Sequence, residues 1–226
     1  MDAMLQGGLA GGRWVMFGDF TRQALFGGVC VDHGFNGFQR MLRNRAPHFA
    51  VLHLNFNCRN TPQIAEETAM LSGFERMPYR LNAADGPAVD YRFWQAPDEQ
   101  LDRLVEALND LLGEGVTPEQ IVILSPLRLQ HSVANRLGGR GLRVAEISES
   151  GQNIDGSISF STMQAFKGME TPVAVLTDLQ GIENTDRQSL LYVAMSRART
   201  TLVMVVHQSF RPHVQAAMRR LRTEQA

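Results

Sequence analysis

The sequence predicts an α/β fold in which helices cover a parallel sheet. Three observations support this fold class. Short apolar runs alternate with amphipathic segments along most of the chain, which is the pattern of parallel α/β proteins. Residues 121–124 are apolar at every position, as expected of a central parallel strand. The chain has 226 residues and is 44% hydrophobic, so it can bury a core as one large or two small domains.

Each element follows from a local pattern. Thr61 and Pro62 mark a helix start as cap and first helical residue. Over residues 98–112 leucine and valine recur on one helical face, and Gly113 ends the helix. Further helices are predicted around residues 129–137 and 188–195 and at the C-terminus, where Val214, Met218 and Leu221 point inward. Strands are predicted at 51–54, 88–94, 121–124, 143–147, 157–161, 173–176 and 202–206.

Composition limits the classes of partner. The net charge is -1, so any nucleic-acid binding must come from a local basic patch. Cys30 and Cys58 have neither disulfide-framework nor metal-ligand spacing, and we expect two unpaired thiols in the cytoplasm and no bound metal. We find no signal peptide and no apolar run near the roughly 18 residues that a membrane span needs, so no membrane partner is expected.

Two segments carry most of the chemistry. In the first, residues 155–170, a strand is followed by a short loop that holds Lys167, Gly168 and Glu170. The second, Leu-Leu-Tyr-Val-Ala-Met-Ser-Arg-Ala-Arg at 190–199, is a helix that delivers Arg197 and Arg199 just before strand 202–206. A guanidinium is planar and always charged, so it can hold two phosphate oxygens at once.

Two weaker segments precede them. Residues 54–60 end a strand and place Arg59 at the mouth of a helix, where the partial positive charge of the helix start also favours a phosphate. Residues 12–23 contain a short apolar run that ends in Gly18 and Asp19, with Gln23 shortly after. If residues 13–18 belong to the edge of a missing domain, they leave apolar groups exposed, and self-association through them is expected.

Taken in chain order, residues 12–23, 54–60, 155–170 and 190–199 resemble motifs III, IV, V and VI of the UvrD/Rep-like superfamily-one DNA helicases. The resemblance implies that residues 46–226 are a RecA-like C-terminal motor domain and that residues 1–45 are the tail of the preceding motor domain. It implies ATP with magnesium as cofactor, and single-stranded DNA and the missing N-terminal motor domain as partners.

The resemblance also assigns roles to individual residues. The catalytic residues that it implies are Arg197 as the arginine finger, Arg59 beside a phosphate, and Gln23 as the sensor of the terminal phosphate. The nucleotide is bound by Glu170 at its sugar and by Gly168, with Arg199 and Tyr192 as supports. Contacts to single-stranded nucleic acid are expected from Thr162, Gln164 and Lys167, with Gln164 standing where most members of the family have histidine.

Half of an ATP site is missing from the sequence. A phosphate-binding loop needs glycines before a Gly-Lys-[Ser/Thr] end, but Lys167 is the only lysine and follows Gln-Ala-Phe. No apolar strand ends in Asp-Glu, so the magnesium ligands are not encoded either. We therefore expect a fragment or a short relative of a helicase that does not hydrolyse ATP alone.

Alternatives stay open at this point. A non-catalytic nucleic-acid-binding or interaction domain, derived from a helicase that lost its motor half, would carry the same segments. A generic nucleotide-binding α/β protein is a third reading. Arg197 could instead tie down a helix end, and Lys167 could be a surface charge. The sequence does not decide the translocation polarity, whether the bound nucleic acid is DNA or RNA, or whether the domain is fused to a nuclease.

Overall fold

The structure is a computed structural model that describes residues 8–15, 40, 42–46, 48–52, 56–57, 59–72, 80–81, 85–147, 154–180 and 185–224. The chain divides into two compact units, Met1–Asn55 and Phe56–Ala226. The first unit contains helix α1 (Gly8–Gly11). That residues 1–45 are the tail of a preceding motor domain, and residues 46–226 the next domain, stays a prediction.

The second unit holds most of the regular structure. Its elements in chain order are β1 (Phe56–Asn57), α2 (Pro62–Ser72), β2 (Arg80–Leu81), β3 (Asp90–Trp94), α3 (Pro97–Gly113), β4 (Ile121–Ser125), β5 (Val144–Glu146), β6 (Ile158–Thr162), β7 (Thr171–Leu179), α4 (Thr185–Met195), β8 (Ala198–His207) and α5 (Arg211–Glu224). Short 3₁₀ segments lie at Pro118–Gln120, Leu129–His131, Val133–Arg140 and Gln208–Phe210.

A six-stranded sheet of order β3-β8-β7-β4-β6-β5 forms the centre of this unit, and all its strand pairs are parallel. Alternate residues of β4 enter different cores, because successive side chains of a strand point to opposite faces. Val122 and Leu124 pack with α2, α4 and α5, whereas Ile121 and Ile123 pack with α3 and the 3₁₀ segment Val133–Arg140. The prediction of a parallel α/β fold is therefore confirmed.

Several element predictions need correction. The segment around 129–137 forms 3₁₀ turns instead of an α-helix, since it is short and contains Gly138 and Gly139. Val51 and Leu52 lie in no strand, and residues 53–55 fall outside the described part. Met218 is exposed rather than inward-facing, while Val214 is buried as predicted.

The start of two elements also differs from the prediction. β8 begins at Ala198, so Arg199 lies within the strand and not before it. This extension follows from pairing with β7, because Thr171 is the partner of Ala198. The helix at Pro62 is present, but the hydroxyl of Thr61 is buried and has no hydrogen-bond partner in the described part of the chain. Thr61 is therefore not a side-chain cap.

The first unit has a small apolar cluster of its own. Leu9, Leu42 and Ala46 are buried there. The indole N–H of Trp14 donates to the carbonyl of Leu9 at 2.8 Å, and its ring lies 5.9 Å from that of Phe49, measured between centroids. Val15 is 78% exposed. Residues 16–18 lie outside the described part, so self-association through 13–18 stays a prediction.

The path between β6 and β7 positions the candidate site. Thr162, the last residue of β6, pairs with Ser125 at the end of β4. Thr171 begins β7, which runs parallel to β6 on the other side of β4. Residues 163–170, here called the crossing segment, must therefore return from the carboxyl-end side of the sheet to the amino-end side. The first and last residues of the crossing segment therefore lie at opposite edges of the sheet.

Candidate functional site

Three charged side chains meet at the surface on the amino-end side of the sheet. The Nε of Arg59 lies 3.1 Å from one carboxylate oxygen of Glu170, and the Nε of Arg199 lies 3.7 Å from the other. All three side chains are roughly half exposed, at 42%, 46% and 55% for Arg59, Glu170 and Arg199. We call these residues the Glu170 cluster. Its two guanidiniums remain open to a ligand from solvent.

Asn60 fixes the chain beside the cluster. Its side-chain amide donates to the carbonyls of Ser196, at 3.0 Å, and Ala198, at 2.6 Å, and the residue is 5% exposed. The side-chain oxygen of Asn57 accepts from the backbone N–H groups of Arg59 and Asn60. These bonds join the start of α2 to the start of β8, and so set Arg59 next to β8. Sequence reasoning missed Asn60, although it directly follows Arg59.

Arg197 is almost completely buried, at 2% exposure. Its Nε donates to the carbonyl of Val193 at 3.0 Å, and its Nη1 to the carbonyl of Met169 at 3.3 Å. Its own carbonyl accepts from the N–H of Thr171 at 3.0 Å. Arg197 therefore joins the end of α4 to the crossing segment and the start of β7.

Of the predicted strand-contact residues, Thr162 and Gln164 lie at or just after the carboxyl end of β6. Thr162 ends β6, and its hydroxyl accepts from the N–H of Ala165 at 3.1 Å. Gln164 is exposed, and its carbonyl accepts from the N–H of Lys167, which is half-buried. Thr162 thus precedes the crossing segment and Gln164 lies near its start, whereas Glu170 is its last residue, next to the start of β7.

Gly168 lies within the crossing segment. Its φ of 91° is in the left-handed region, where a side chain is strained, so glycine is required for the backbone rather than to make room. Tyr192 is half-buried on α4, and its carbonyl accepts from the N–H of Ser196. Gln23 lies outside the described residues.

Metal and membrane features can be stated for the described residues only. Among them, no group of three or more His, Cys, Asp or Glu side chains is placed to hold a metal ion. None of the helices in the described ranges is both long and apolar enough to cross a membrane.

Comparison with known proteins supports one family. Residues 157–205 match the family model of the UvrD-like helicase C-terminal domain. This segment runs from the start of β6 into β8, and contains Thr162, Glu170, Arg197 and Arg199. The predicted resemblance to this helicase family is therefore confirmed over that segment.

Solved structures share this fold. Among them is the C-terminal domain of a possible DNA helicase from Lactobacillus plantarum WCFS1, with a TM-score of 0.52 and 19% sequence identity, covering 66% of this chain and 86% of that chain. At this identity the likeness shows the fold alone, a parallel sheet flanked by helices. No curated protein matches the sequence significantly.

Proposed function

We propose that this chain is the second motor domain of an ATP-dependent DNA helicase or translocase. One observation carries the proposal. The segment that matches the helicase family, residues 157–205, supplies both Glu170 and Arg199 of the exposed cluster and also Thr162 at the other side of the sheet. In the complete protein, ATP would lie between this domain and a phosphate-loop domain, and this chain would form one wall.

The Glu170 cluster fits a nucleotide. Arg59 and Arg199 present two guanidiniums, with Nε atoms 3.1 Å and 3.7 Å from the two Glu170 carboxylate oxygens, and guanidinium groups bind phosphate oxygens through paired hydrogen bonds. The Glu170 carboxylate between them can accept from a sugar hydroxyl. ATP supplies the transferable phosphoryl group, and this chain's arginines would bind it and offset its charge. Magnesium ligands are assigned to the other domain.

Arg197 is proposed to assist from its buried position. The family resemblance makes it the arginine finger, but its guanidinium donates to the carbonyls of Val193 and Met169. A finger role therefore requires that it exchange at least the Met169 carbonyl for phosphate oxygens when the two domains close. Thr162, Gln164 and Lys167 would contact single-stranded DNA, and the same closure of the two domains would change these contacts.

A second candidate function is a non-catalytic nucleic-acid-binding or interaction domain derived from a helicase. The burial of Arg197 favours it, since a side chain that ties α4 to the crossing segment is useful without any catalysis. The two functions differ in nucleotide binding, which only the motor domain needs.

Nucleotide binding by the full chain tests the proposal. We expect weak binding of ATP, measured by calorimetry, that is lost in the double variant Arg59→Ala/Arg199→Ala. Arg103→Ala is the matched control, because Arg103 is also exposed and paired with a glutamate, Glu106, on α3. Unchanged ATP binding in the double variant would refute this assignment of the cluster.

Phosphate release is the second measurement on the same preparations. We expect no appreciable ATP hydrolysis by the chain alone, with or without single-stranded DNA, because the phosphate loop is missing. Turnover near the ordinary enzyme range of about 1 per second would show that a different, lysine-independent site exists.

A further inference from the structure

A single carboxylate joins four segments near the carboxyl ends of the strands. It belongs to Asp178, the next-to-last residue of β7, which is half-buried. The hydroxyls of Ser125 and Ser132 donate to one of its oxygens, each at 2.6 Å. The side-chain amide of Gln100, at 2.9 Å, and the N–H of Val133, at 3.3 Å, donate to the other. Asp178 therefore connects β7 with the end of β4, the start of α3 and the 3₁₀ segment that begins at Val133.

The backbone conformation of Asp178 has an energetic cost. Of the residues that the structure describes, Asp178 alone combines a side chain with a positive φ, at 60°. It lies where the pairing of β7 with β8 shifts register, between Leu176 and Leu179. Such an irregularity re-aims a side chain, and glycine would adopt this φ without strain. An aspartate at a position suited to glycine indicates that its carboxylate has a role that offsets the strain.

Ser125 connects this carboxylate to the start of the crossing segment. It is the last residue of β4 and is completely buried. It pairs with Thr162 at the end of β6, and its carbonyl accepts from the N–H of Met163 at 2.9 Å. Asp178 is thus one residue removed from Thr162, to which the family resemblance assigns contact with single-stranded nucleic acid.

The loop after β4 depends on the same two serines. The hydroxyl of Ser125 also accepts from the N–H of Leu127, at 3.0 Å. The carbonyl of Arg128 accepts from the N–H of Ser132, at 3.1 Å. Arg128 is exposed on this loop, where its guanidinium can contact the phosphates of a bound strand. Asp178 therefore orients the backbone on both sides of Arg128 as well as that beside Thr162.

We propose that Asp178 is a positioning residue for the contact with single-stranded DNA: through Ser125 and Ser132 it holds Thr162 and the loop that carries Arg128 in one fixed arrangement. Its two oxygens are engaged by the four donors, so it acts through the serines and not on the strand itself. Contact groups that are already held in the bound arrangement lose less conformational entropy on binding. The inference deepens the proposed function and rests on it for the identity of the strand.

Three substitutions of Asp178 separate positioning from stability. Asp178→Gly and Asp178→Ala both remove the acceptor oxygens, but only alanine is strained at a φ of 60°. Asp178→Asn keeps one acceptor oxygen, and its amide can donate to serine hydroxyls, which rotate to accept. The carboxylate borders a cavity of about 700 Å³, so water can reach the donors that glycine or alanine leaves. Asp102→Ala is the control, because Asp102 is an exposed aspartate paired with exposed Arg140.

Two readouts are taken on each folded variant, after thermal melting. The amide resonances of Met163 and Leu127, recorded without DNA, report the two backbone segments that Ser125 holds. Fluorescence anisotropy measures the binding of a single strand of about 12 nucleotides. Ser125→Ala, alone and combined with Asp178→Gly, tests whether the effect passes through that hydroxyl.

We expect both resonances to move in the glycine and alanine variants, and strand binding to weaken about tenfold in both, as coupling within one hydrogen-bond network allows. The asparagine variant should recover most of the affinity, and the control should bind like the wild type. Only melting should distinguish alanine from glycine, with alanine melting lower. Ser125→Ala should weaken binding as well, and the combined variant should be little worse than Asp178→Gly.

Unmoved resonances in the glycine variant would overturn the positioning role. So would unchanged strand binding, or an affinity that follows melting temperature, with alanine weaker than glycine and asparagine no better. Additive losses in the combined variant would overturn the path through Ser125. These results would leave the motor assignment standing, provided that the wild type binds the strand. A wild type that binds no strand would overturn both this inference and the DNA contact of the proposed function.

Discussion

The Nη1 atom of Arg197 lies 3.3 Å from the carbonyl oxygen of Met169, the residue before Glu170. Arg197, which the family resemblance makes the arginine finger, therefore supports the backbone next to Glu170 of the exposed cluster. Structural and catalytic roles of Arg197 predict different results, and substitution separates them.

Arg197→Ala should destabilise the chain by about 2–4 kcal/mol, because it removes a buried guanidinium that donates to two carbonyls. Arg197→Lys should recover little, since an ammonium cannot reproduce the planar fork. Thermal and denaturant unfolding measure both, with exposed Arg103→Ala as the control. A variant as stable as the wild type would contradict the bonding described here.

The finger role is measured in a protein that also carries the phosphate-loop domain. There Arg197→Ala should lower the ATPase kcat by about 10²-fold or more, with little change in nucleotide binding, because the guanidinium would meet charge that grows in the transition state. Activity lost only in proportion to the unfolded fraction would leave Arg197 as a positioning residue.

Asn60→Ala should lower the free energy of unfolding by about 1–3 kcal/mol, because two buried carbonyls, of Ser196 and Ala198, lose their donor. Asn109→Ala, at an exposed site on α3, is the matched control and should be close to neutral. ATP binding should fall in the Asn60 variant even where it is fully folded, since Arg59 is then less well placed. Retained ATP binding would separate Asn60 from the site.

Glu67 should make stability depend on pH. Burial raises the pKa of its carboxyl above the ordinary value of 4.5, and this outweighs the opposing hydrogen bond from the hydroxyl of Tyr91, at 2.5 Å. The folded chain therefore keeps this proton where the unfolded chain has lost it, and stability falls as pH rises from about 4.5 through the raised pKa. Glu67→Gln should abolish this part of the pH dependence.

Tyr91→Phe provides the opposite change at the same pair. Without the hydroxyl, the Glu67 carboxylate loses the hydrogen bond that lowers its pKa, so the loss of stability should extend to higher pH. Melting temperatures of the wild type, Glu67→Gln and Tyr91→Phe, recorded from acidic to neutral pH, measure the effect. Parallel curves for all three would mean that the pair is hydrated rather than buried.

Binding of single-stranded DNA should be weak and sensitive to salt, because the chain as a whole is nearly neutral and phosphate contacts release counterions. Arg128→Ala should lower the affinity and reduce the slope of log affinity against log salt by about one. Arg143→Ala removes an exposed arginine before β5, on the amino-end side, and should change neither. Tight binding that ignores salt would contradict a motor that tracks the backbone.

Much of the fold could be predicted from the sequence, because its hydrophobic patterns are strong. The leucine face of α3 and the continuous apolar run of β4 fixed those elements to within a residue or two. Prediction failed where tertiary contacts override local pattern. β8 begins at Ala198 because it pairs with β7, and the turn around Val133–Arg140 stays 3₁₀, with Ser132 and Asp178 bonded to its start.

The candidate site was predictable in part. The motif pattern predicts Arg59, Glu170 and Arg197 as one wall of a nucleotide site, with Arg199 as a support, whereas the structure places Arg59 and Arg199 beside Glu170. The pattern could not reveal that Arg197 is buried, because two neighbouring arginines on one motif look alike in sequence. Asp178 and Asn60 had no pattern of their own; their roles arise from partners far along the chain.

The crossing segment has a mechanical consequence. Its turns are anchored in the core by Met163 and Phe166, which are 0% and 2% exposed, and its backbone is closed by hydrogen bonds from Lys167 to Gln164 and from Met169 to Phe166. A short, packed strut of this kind transmits displacement, where a loose loop would absorb it. Under the proposed function, movement of Glu170 on nucleotide binding would displace Thr162. Nucleotide binding would then change the affinity for single-stranded DNA, and DNA binding would change the affinity for nucleotide by the same factor.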